Sequence, residues 1–319
     1  MNAPTLVSVV VPTRNRPTML RTSLEAIARQ GIQGLQVIVV DDGSKAQEAH
    51  ANEQLVQEHN FNYHYLASAV TRGAGPAFTR NVGIALASGR LIAFCDDDDH
   101  WTDSRHLSQC IALFEEDSQL DFIFANQEVR HDGKVTTPRQ APDLPRSLQL
   151  GPATDGKSFL LSKEDCLLGW FAHLNTCVFR RELLEKLGGF WGTACYEDLD
   201  LYVRAVDAAR RIRYLDRTVA VHNNAEASSR DAVTTKLSQM DIRVCATNVA
   251  THIIHTVGSK AALRYAGHFS GEAFRWLALE AHRAADRGRA AAFARLALAA
   301  RFSPKWSLVT AFFALRRWI

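Results

Sequence analysis

The sequence predicts an α/β fold, a mostly parallel Rossmann-like central sheet flanked by helices, with a C-terminal helical extension. Three observations carry that expectation. Short apolar, β-branched runs alternate with stretches of helical periodicity over the first hundred residues, the pattern of a parallel sheet covered on both faces. The polar clusters PTRNR, DDGS and DDDD each follow directly on such a run, and ligands of parallel sheets bind at the carboxyl ends of strands. From about Asp231 onward the pattern is helical and rich in alanine.

The elements follow in order. LVSVVVP (6–12) is a β-branched run ended by proline and reads as a strand buried on both faces. Pro17 to Gln30 carries Met19, Leu20, Leu24 and Ile27 at helical spacing, with Gly31 as a stop. LQVIVV (35–40) reads as the second strand, and Asp41-Asp42-Gly43-Ser44 as a turn whose Ser44 caps the next helix. FNYHYLA (61–67) gives the third strand, residues 75–89 a helix closed by Gly89, and LIAFC (91–95) the fourth strand. The middle is less regular: an antiparallel strand and turn at 121–135, then a proline-containing loop over 136–160. Residues 174–190 read as strand, helix and double-glycine stop, and 194–209 as an amphipathic helix opening on Glu197, Asp198 and Asp200.

Composition fits a globular chain of 319 residues, 47% hydrophobic and 22% charged. The net charge of +3 is unevenly spread. Residues 259–319 hold 11 Lys+Arg against 3 Asp+Glu, a local balance of +8, which leaves 26 against 31 in the first 258. Such a basic tail favours an anionic surface as partner. No nucleic-acid reader motif accompanies it, so nucleic acid is not an expected partner. The six cysteines show no CxxC or zinc spacing and read as buried free thiols of a reducing compartment. The N-terminus does not resemble a signal peptide, and no window is apolar enough to span a bilayer. A cytoplasmic protein is expected.

The run LIAFCDDDDH (91–100) poses the chemical question. Two unit charges about 5 Å apart repel by roughly 3 kcal/mol at an effective dielectric near 20. Four carboxylates at the end of a buried strand therefore point to a place that receives a cation.

The motifs VSVVVPTRNR, VIVVDDGS, TRNVGIALASGRLIAFCDDDDHW, LGGF with YEDLDLYVRA, and VH at 221–222 together resemble the family 2 glycosyltransferases. The resemblance runs in order over residues 6–225 and implies a GT-A fold in a domain of residues 1–225, followed by a helical region of 226–319. It also implies inverting transfer of a sugar from a nucleotide-diphospho-sugar to a glycan or lipid-linked glycan. Mapped onto this sequence, it places the Asp-x-Asp metal motif on Asp96 and Asp98, with Mg²⁺ or Mn²⁺ as cofactor. Asp98 is then the direct metal ligand, joined by Asp96 and His222, while Asp96 or Asp97 takes the ribose hydroxyls. Asp99 reads as the cap of a following helix. Asp42 matches the acceptor of the base N3–H, which suits uracil or thymine and hence UDP or TDP. Pro12, Thr13 and Arg14 match the loop on base and ribose, Arg14 standing where the family often has an aromatic. Arg80 matches a basic residue near base and phosphates. Asp198, of the Glu197-Asp198 pair, matches the general base, and helix-dipole preference is enough to account for Asp200. Trp101 reads as core or as a platform under a sugar.

Rival functions are a sugar-nucleotide-binding module without turnover and a metal-dependent nucleotidyltransferase or hydrolase. PTRNR lacks the glycine and lysine a nucleotidyltransferase phosphate loop wants, and the acids follow the fourth strand rather than the first. Finally, PKWSLVTAFFALRRWI (304–319) reads as a helix placing Trp306, Val309, Phe312 and Phe313 on one side, near Leu308, Ala311 and Leu315. With Lys305, Arg316, Arg317 and Trp318 around it, this segment suits an interfacial helix on the cytoplasmic membrane surface.

Overall fold

The computed structural model describes residues 5–67, 73–141, 158–224 and 237–316. Its first half alternates as the periodicity requires: β1 (Val7–Thr13), α1 (Pro17–Ala28), β2 (Leu35–Asp41), α2 (Ala46–Glu58), β3 (Asn62–Tyr65), α3 (Pro76–Leu86) and β4 (Leu91–Phe94). There follow β5 (His100–Trp101), α4 (His106–Glu116), β6 (Leu120–His131), β7 (Lys134–Thr137), β8 (Ser158–Leu161), α5 (Lys163–Cys166), β9 (Cys177–Arg180), α6 (Arg181–Leu187), α7 (Glu197–Ala208) and β10 (Arg211–Asn224). Four helices close the described chain: α8 (Gln239–Thr256), α9 (Lys260–Arg283), α10 (Arg287–Ala300) and α11 (Pro304–Arg316).

The sheet runs β3-β2-β1-β4-β9-β6-β10-β5, with β7 on β6 and β8 on β10. Pairs β1–β2, β2–β3, β1–β4 and β6–β10 are parallel, and β9 lies antiparallel between β4 and β6. It follows that β1, β2, β4, β6 and β10 all end at one edge, and that β9 begins there. The chain steps outward from β1 to β3, then returns to the other flank of β1 as β4. That reversal opens a crevice between the carboxyl ends of β1 and β4.

Alternation along each strand divides its side chains between two cores. Val10, Ile38, Val40, Ile92 and Phe94 enter one, whereas Val7, Val9, Val11, Val37, Val39, Leu91 and Ala93 enter the other. Because both faces are buried, these strands read as continuous apolar runs. The six cysteines are buried and free, as expected.

Several local expectations are corrected. Ser44 does not cap α2, which starts at Ala46 after Lys45 without a side-chain cap. Its Oγ instead accepts the Asn15 N–H at 2.7 Å and so joins the loops after β1 and β2. Helix α3 ends at Leu86 and is not closed by Gly89. Gly89 is required by close approach, since a Cβ there would lie 2.6 Å from the Ser8 nitrogen. Asp99 starts no helix; it stands in a turn before β5. Trp101 is core, its Nε1–H donated to the Asn175 carbonyl at 2.6 Å. The loop expected over 136–160 is bounded by β7 ending at Thr137 and β8 beginning at Ser158, and residues 142–157 lie outside the described residues.

The motif glycines and Asn81 have packing roles. Asn81 accepts the Phe190 N–H and donates to the Phe190 carbonyl, both at 2.8 Å, locking α3 to the turn after α6. Gly188 and Gly189 close α6 with φ of 70° and 72°.

In the C-terminal region α9 packs against α8 and α10, and both α8 and α9 pack against α7. The face expected on α11 is split. Trp306, Val309 and Phe313 dock on Ala278 and Ala281 of α9 and Ala290, Ala291 and Ala294 of α10, while Leu308, Ala311, Phe312 and Leu315 remain exposed. Arg317 and Trp318 lie outside the described residues. Among the described residues no helix is long and apolar enough to cross a membrane.

Candidate active site

The four acids leave β4 at the crevice, where partners from several segments hold them. Asp97 accepts the Thr13 hydroxyl at 2.8 Å, and the Arg16 guanidinium bridges Asp97 and Asp98 at 3.1 and 2.8 Å. Asp96 pairs with Arg80 at 2.7 Å. Asp99, 1% exposed, accepts from the side-chain amide of Asn175 and from the Asn223 backbone N–H at 2.7 Å, and hydrogen-bonds His222 Nδ1 at 2.9 Å. Asn175 clasps the run from both ends, because its side-chain oxygen also accepts the Asp96 N–H at 3.0 Å.

Burial and mutual repulsion show in the acidities. Burial, then the charges of Asp97, Asp99 and Asp96, push Asp98 up to about 7. Burial pushes Asp97 to about 6, despite Arg16 and the Thr13 hydrogen bond. Burial opposes a charge on His222, yet the hydrogen bond and charge of Asp99 raise it to about 9. Asp96 is lowered, because Arg80 outweighs its burial.

Arg80 joins the two acidic motifs. Its buried guanidinium donates to Asp96 at 2.7 Å and to Glu197 at 2.9 Å, over the ring of Phe190. The first turn of α7 is thereby tied to the acid run. Asp198, half-buried beside Glu197, accepts the Leu199 N–H at 2.8 Å. Its acidity is weakened first by burial and also by the charge of Asp96. Asp200 is more than a dipole partner: wholly buried, it pairs with Arg204 at 2.6 Å and with His252 Nδ1 of α8 at 2.6 Å.

The remaining expected residues lie on the same edge. Pro12 and Thr13 end β1, and half-buried Arg14 follows in the loop. Asp41 is an anchor, accepting from the Ser44 N–H, Asn52 and Tyr63. Asp42 accepts the N–H groups of Ala74 and Gly75 at 2.7 and 2.8 Å, which pins the start of α3 beside it. A carboxylate can accept about four hydrogen bonds, so this pinning leaves acceptor capacity at Asp42.

The donor set fits a divalent cation. One ligand atom each from Asp99, His173 and His222 lie within 4.8 Å of one another, and the two imidazole rings are 4.3 Å apart. Asp99 holds His222 at Nδ1, the carboxylate–histidine arrangement that orients a metal-binding imidazole. Buried His173 Nδ1 has no hydrogen-bond partner among the described residues. Mixed nitrogen and oxygen ligands suit Mn²⁺ better than Mg²⁺, which prefers oxygen.

Arg16, Asn175 and His173 were not singled out from sequence. Arg16 was visible as the last residue of PTRNR. Asn175 and His173 precede an antiparallel strand, where no parallel-sheet rule looks for ligands.

Comparison with known proteins adds to this geometry. The family described as glycosyl transferase family 2 matches residues 8–188. A GalNAc(5)-diNAcBac-PP-undecaprenol beta-1,3-glucosyltransferase of Campylobacter jejuni is 25% identical over 182 residues, 56% of this chain and 53% of that protein. The chain thus spans about half the length of that relative. Among solved structures, S. aureus TarS 1-349 in complex with UDP-GlcNAc superposes with a TM-score of 0.66 at 20% identity, covering 92% of this chain and 81% of that one. The mannosyltransferase PcManGT of Pyrobaculum calidifontis, solved with GDP-Man and Mn²⁺, gives 0.57 at 18% identity, covering 100% and 83%.

The repulsion within the acid run can be tested without any ligand. Asp98→Asn keeps the shape and removes one of four adjacent charges, so at pH 8 in EDTA the variant is expected to unfold about 2 °C higher than the parent. Differential scanning fluorimetry reads the shift. A lower midpoint would show that the Arg16 pair outweighs the repulsion.

Proposed function

The chain belongs to glycosyl transferase family 2, and from that premise we propose an inverting, divalent-metal-dependent transfer of a sugar from a UDP- or TDP-sugar to a hydroxyl of a glycan or lipid-linked glycan. The observation that carries the proposal is the Arg80 bridge, which sets the acid run and the Glu197-Asp198 pair on one crevice. Asp42, Pro12, Thr13 and Arg14 would hold the base and ribose side of the donor, and Asp96 or Asp97 the ribose hydroxyls. Asp98, Asp96 and His222 would hold the ion; of these, His222 is the one that belongs, with Asp99 and His173, to the cluster whose ligand atoms lie within 4.8 Å of one another. A bound Mg²⁺ or Mn²⁺ would supply Lewis-acid stabilisation of the departing diphosphate.

Asp198 is assigned the acceptor proton. Burial raises its pKa, moving it toward the range in which a carboxylate is an effective base near neutral pH. Asp198→Asn keeps the shape and removes the proton acceptor. UDP release from UDP-glucose or UDP-GlcNAc, with envelope lipid extract as acceptor, should fall ~10²–10⁴-fold, with UDP affinity within about twofold. An unchanged rate would assign the proton to another residue, and no release by the parent would support the sugar-nucleotide-binding reading.

The proposal includes a membrane-facing acceptor. The Campylobacter relative is named for an undecaprenol-linked substrate. On this chain Phe302, Leu308 and Leu315 are 74%, 75% and 71% exposed, on a region whose charge balance is +8. Exposed apolar side chains on a basic region complement an anionic lipid surface. The full chain should sediment with phosphatidylglycerol vesicles, less so as salt rises, and Leu308→Glu with Leu315→Glu should stay in solution. If the parent stays in solution at low salt, the surface serves no membrane.

A further inference from the structure

Helices α7, α8 and α9 all lie beyond the family match, and α8 and α9 pack on α7, the helix that opens with Glu197 and Asp198. Tyr196, the residue before that pair, has φ of 66°, a left-handed conformation costly for a residue with a side chain. Such strain persists where the surroundings fix it. Here Phe269 of α9 does so, meeting the Tyr196 ring edge-on at 5.2 Å and 87°. Tyr265 lies four residues earlier on α9 and therefore shares the Phe269 face. Tyr265 is also close enough to feel Asp198, whose charge adds to burial in holding the phenol un-ionised.

These three rings pack at the margin of the main core, but none is sealed within it. They are not loosely placed. Trp191 stacks on His252 at 4.3 Å and 7°, and His252 reaches Asp200, so α8 is pinned to α7 beside them. Partly exposed rings on a rigid mount, next to a half-buried carboxylate, form a surface for a ligand with an apolar face and a polar edge. A pyranose ring has that character: its axial C–H groups form the apolar face and its hydroxyls the rim.

We infer that Tyr196, Tyr265 and Phe269 form the wall of the acceptor subsite, on which the accepting sugar ring lies with its hydroxyl toward Asp198. The inference rests on the glycosyltransferase reading and names the acceptor as a pyranose. In the step this wall serves, the acceptor oxygen bonds to the anomeric carbon and its proton passes to the Asp198 carboxylate. The bond from that carbon to the diphosphate oxygen breaks, and its electron pair leaves with the nucleoside diphosphate. The C-terminal helices thereby contribute to acceptor choice.

The test uses the full chain with UDP and Mn²⁺, and methyl N-acetyl-β-D-glucosaminide as probe, in saturation-transfer NMR with the protein aromatic protons irradiated. The parent should pass saturation to the H1, H3 and H5 protons of one sugar face. Tyr196→Gly and Phe269→Ala should each reduce that transfer at least about fivefold while UDP affinity stays within about twofold. Glycine tolerates the local φ, so Tyr196→Gly should keep its thermal midpoint and exclude misfolding as the cause. No transfer in the parent, or equal transfer in both variants, with UDP bound, overturns the wall. A parent that binds neither UDP nor TDP overturns the donor reading beneath it.

Discussion

Four adjacent carboxylates at the end of a buried strand repel one another, and the architecture around them is organised by that repulsion. Arg16 arrives from the loop after β1, Arg80 from α3, Asn175 from the turn before β9, and His222 and Asn223 from the end of β10. These partners are far apart in sequence. They meet because the sheet order puts the ends of β1, β4 and β10 and the start of β9 on one edge. Even so, burial keeps Asp97 and Asp98 hard to ionise, and the neighbouring carboxylates add to this at Asp98. A site in that condition favours a further cation.

Arg80 couples that charge to the acidic pair across the crevice. It is the one side chain described here that bonds both Asp96 and Glu197, so the position of α7 depends on the acid run. The neighbouring motif residues have a different purpose: Asn81 locks α3 to the turn at Phe190, and Gly83 lets α3 lie on Val10, where a Cβ would come within 2.2 Å. One short segment thus combines a charge clamp with two packing contacts. On the far side of α7, the buried Asp200–Arg204–His252 group fixes the C-terminal helices to the same helix.

Local physics made much of this legible. The strands were readable because burial on both faces demands continuous apolar runs, and the acids because charge directly after such a run needs a partner. Contacts that depend on tertiary geometry were not. Asn175 has no local signature, since its value lies in reaching Asp96 and Asp99 from an antiparallel strand. Asp99 looked like a helix cap because only its neighbours were visible, whereas its partners are dozens of residues away. Ser44 has the composition of a cap but bonds across to Asn15. On α11, helical periodicity could not say which apolar residues meet the alanines of α9 and α10.

The central claim is that the acid run is a cation site for a nucleoside diphosphate. Calorimetric titration of the full chain with UDP, in Mn²⁺ and again in EDTA, tests it most directly. The account predicts at least about tenfold tighter binding with Mn²⁺, since the ion is required to offset two sets of negative charge that otherwise repel. Equal affinity in EDTA would contradict it, leaving the four aspartates as a structural feature balanced by Arg16, Arg80 and His222 alone.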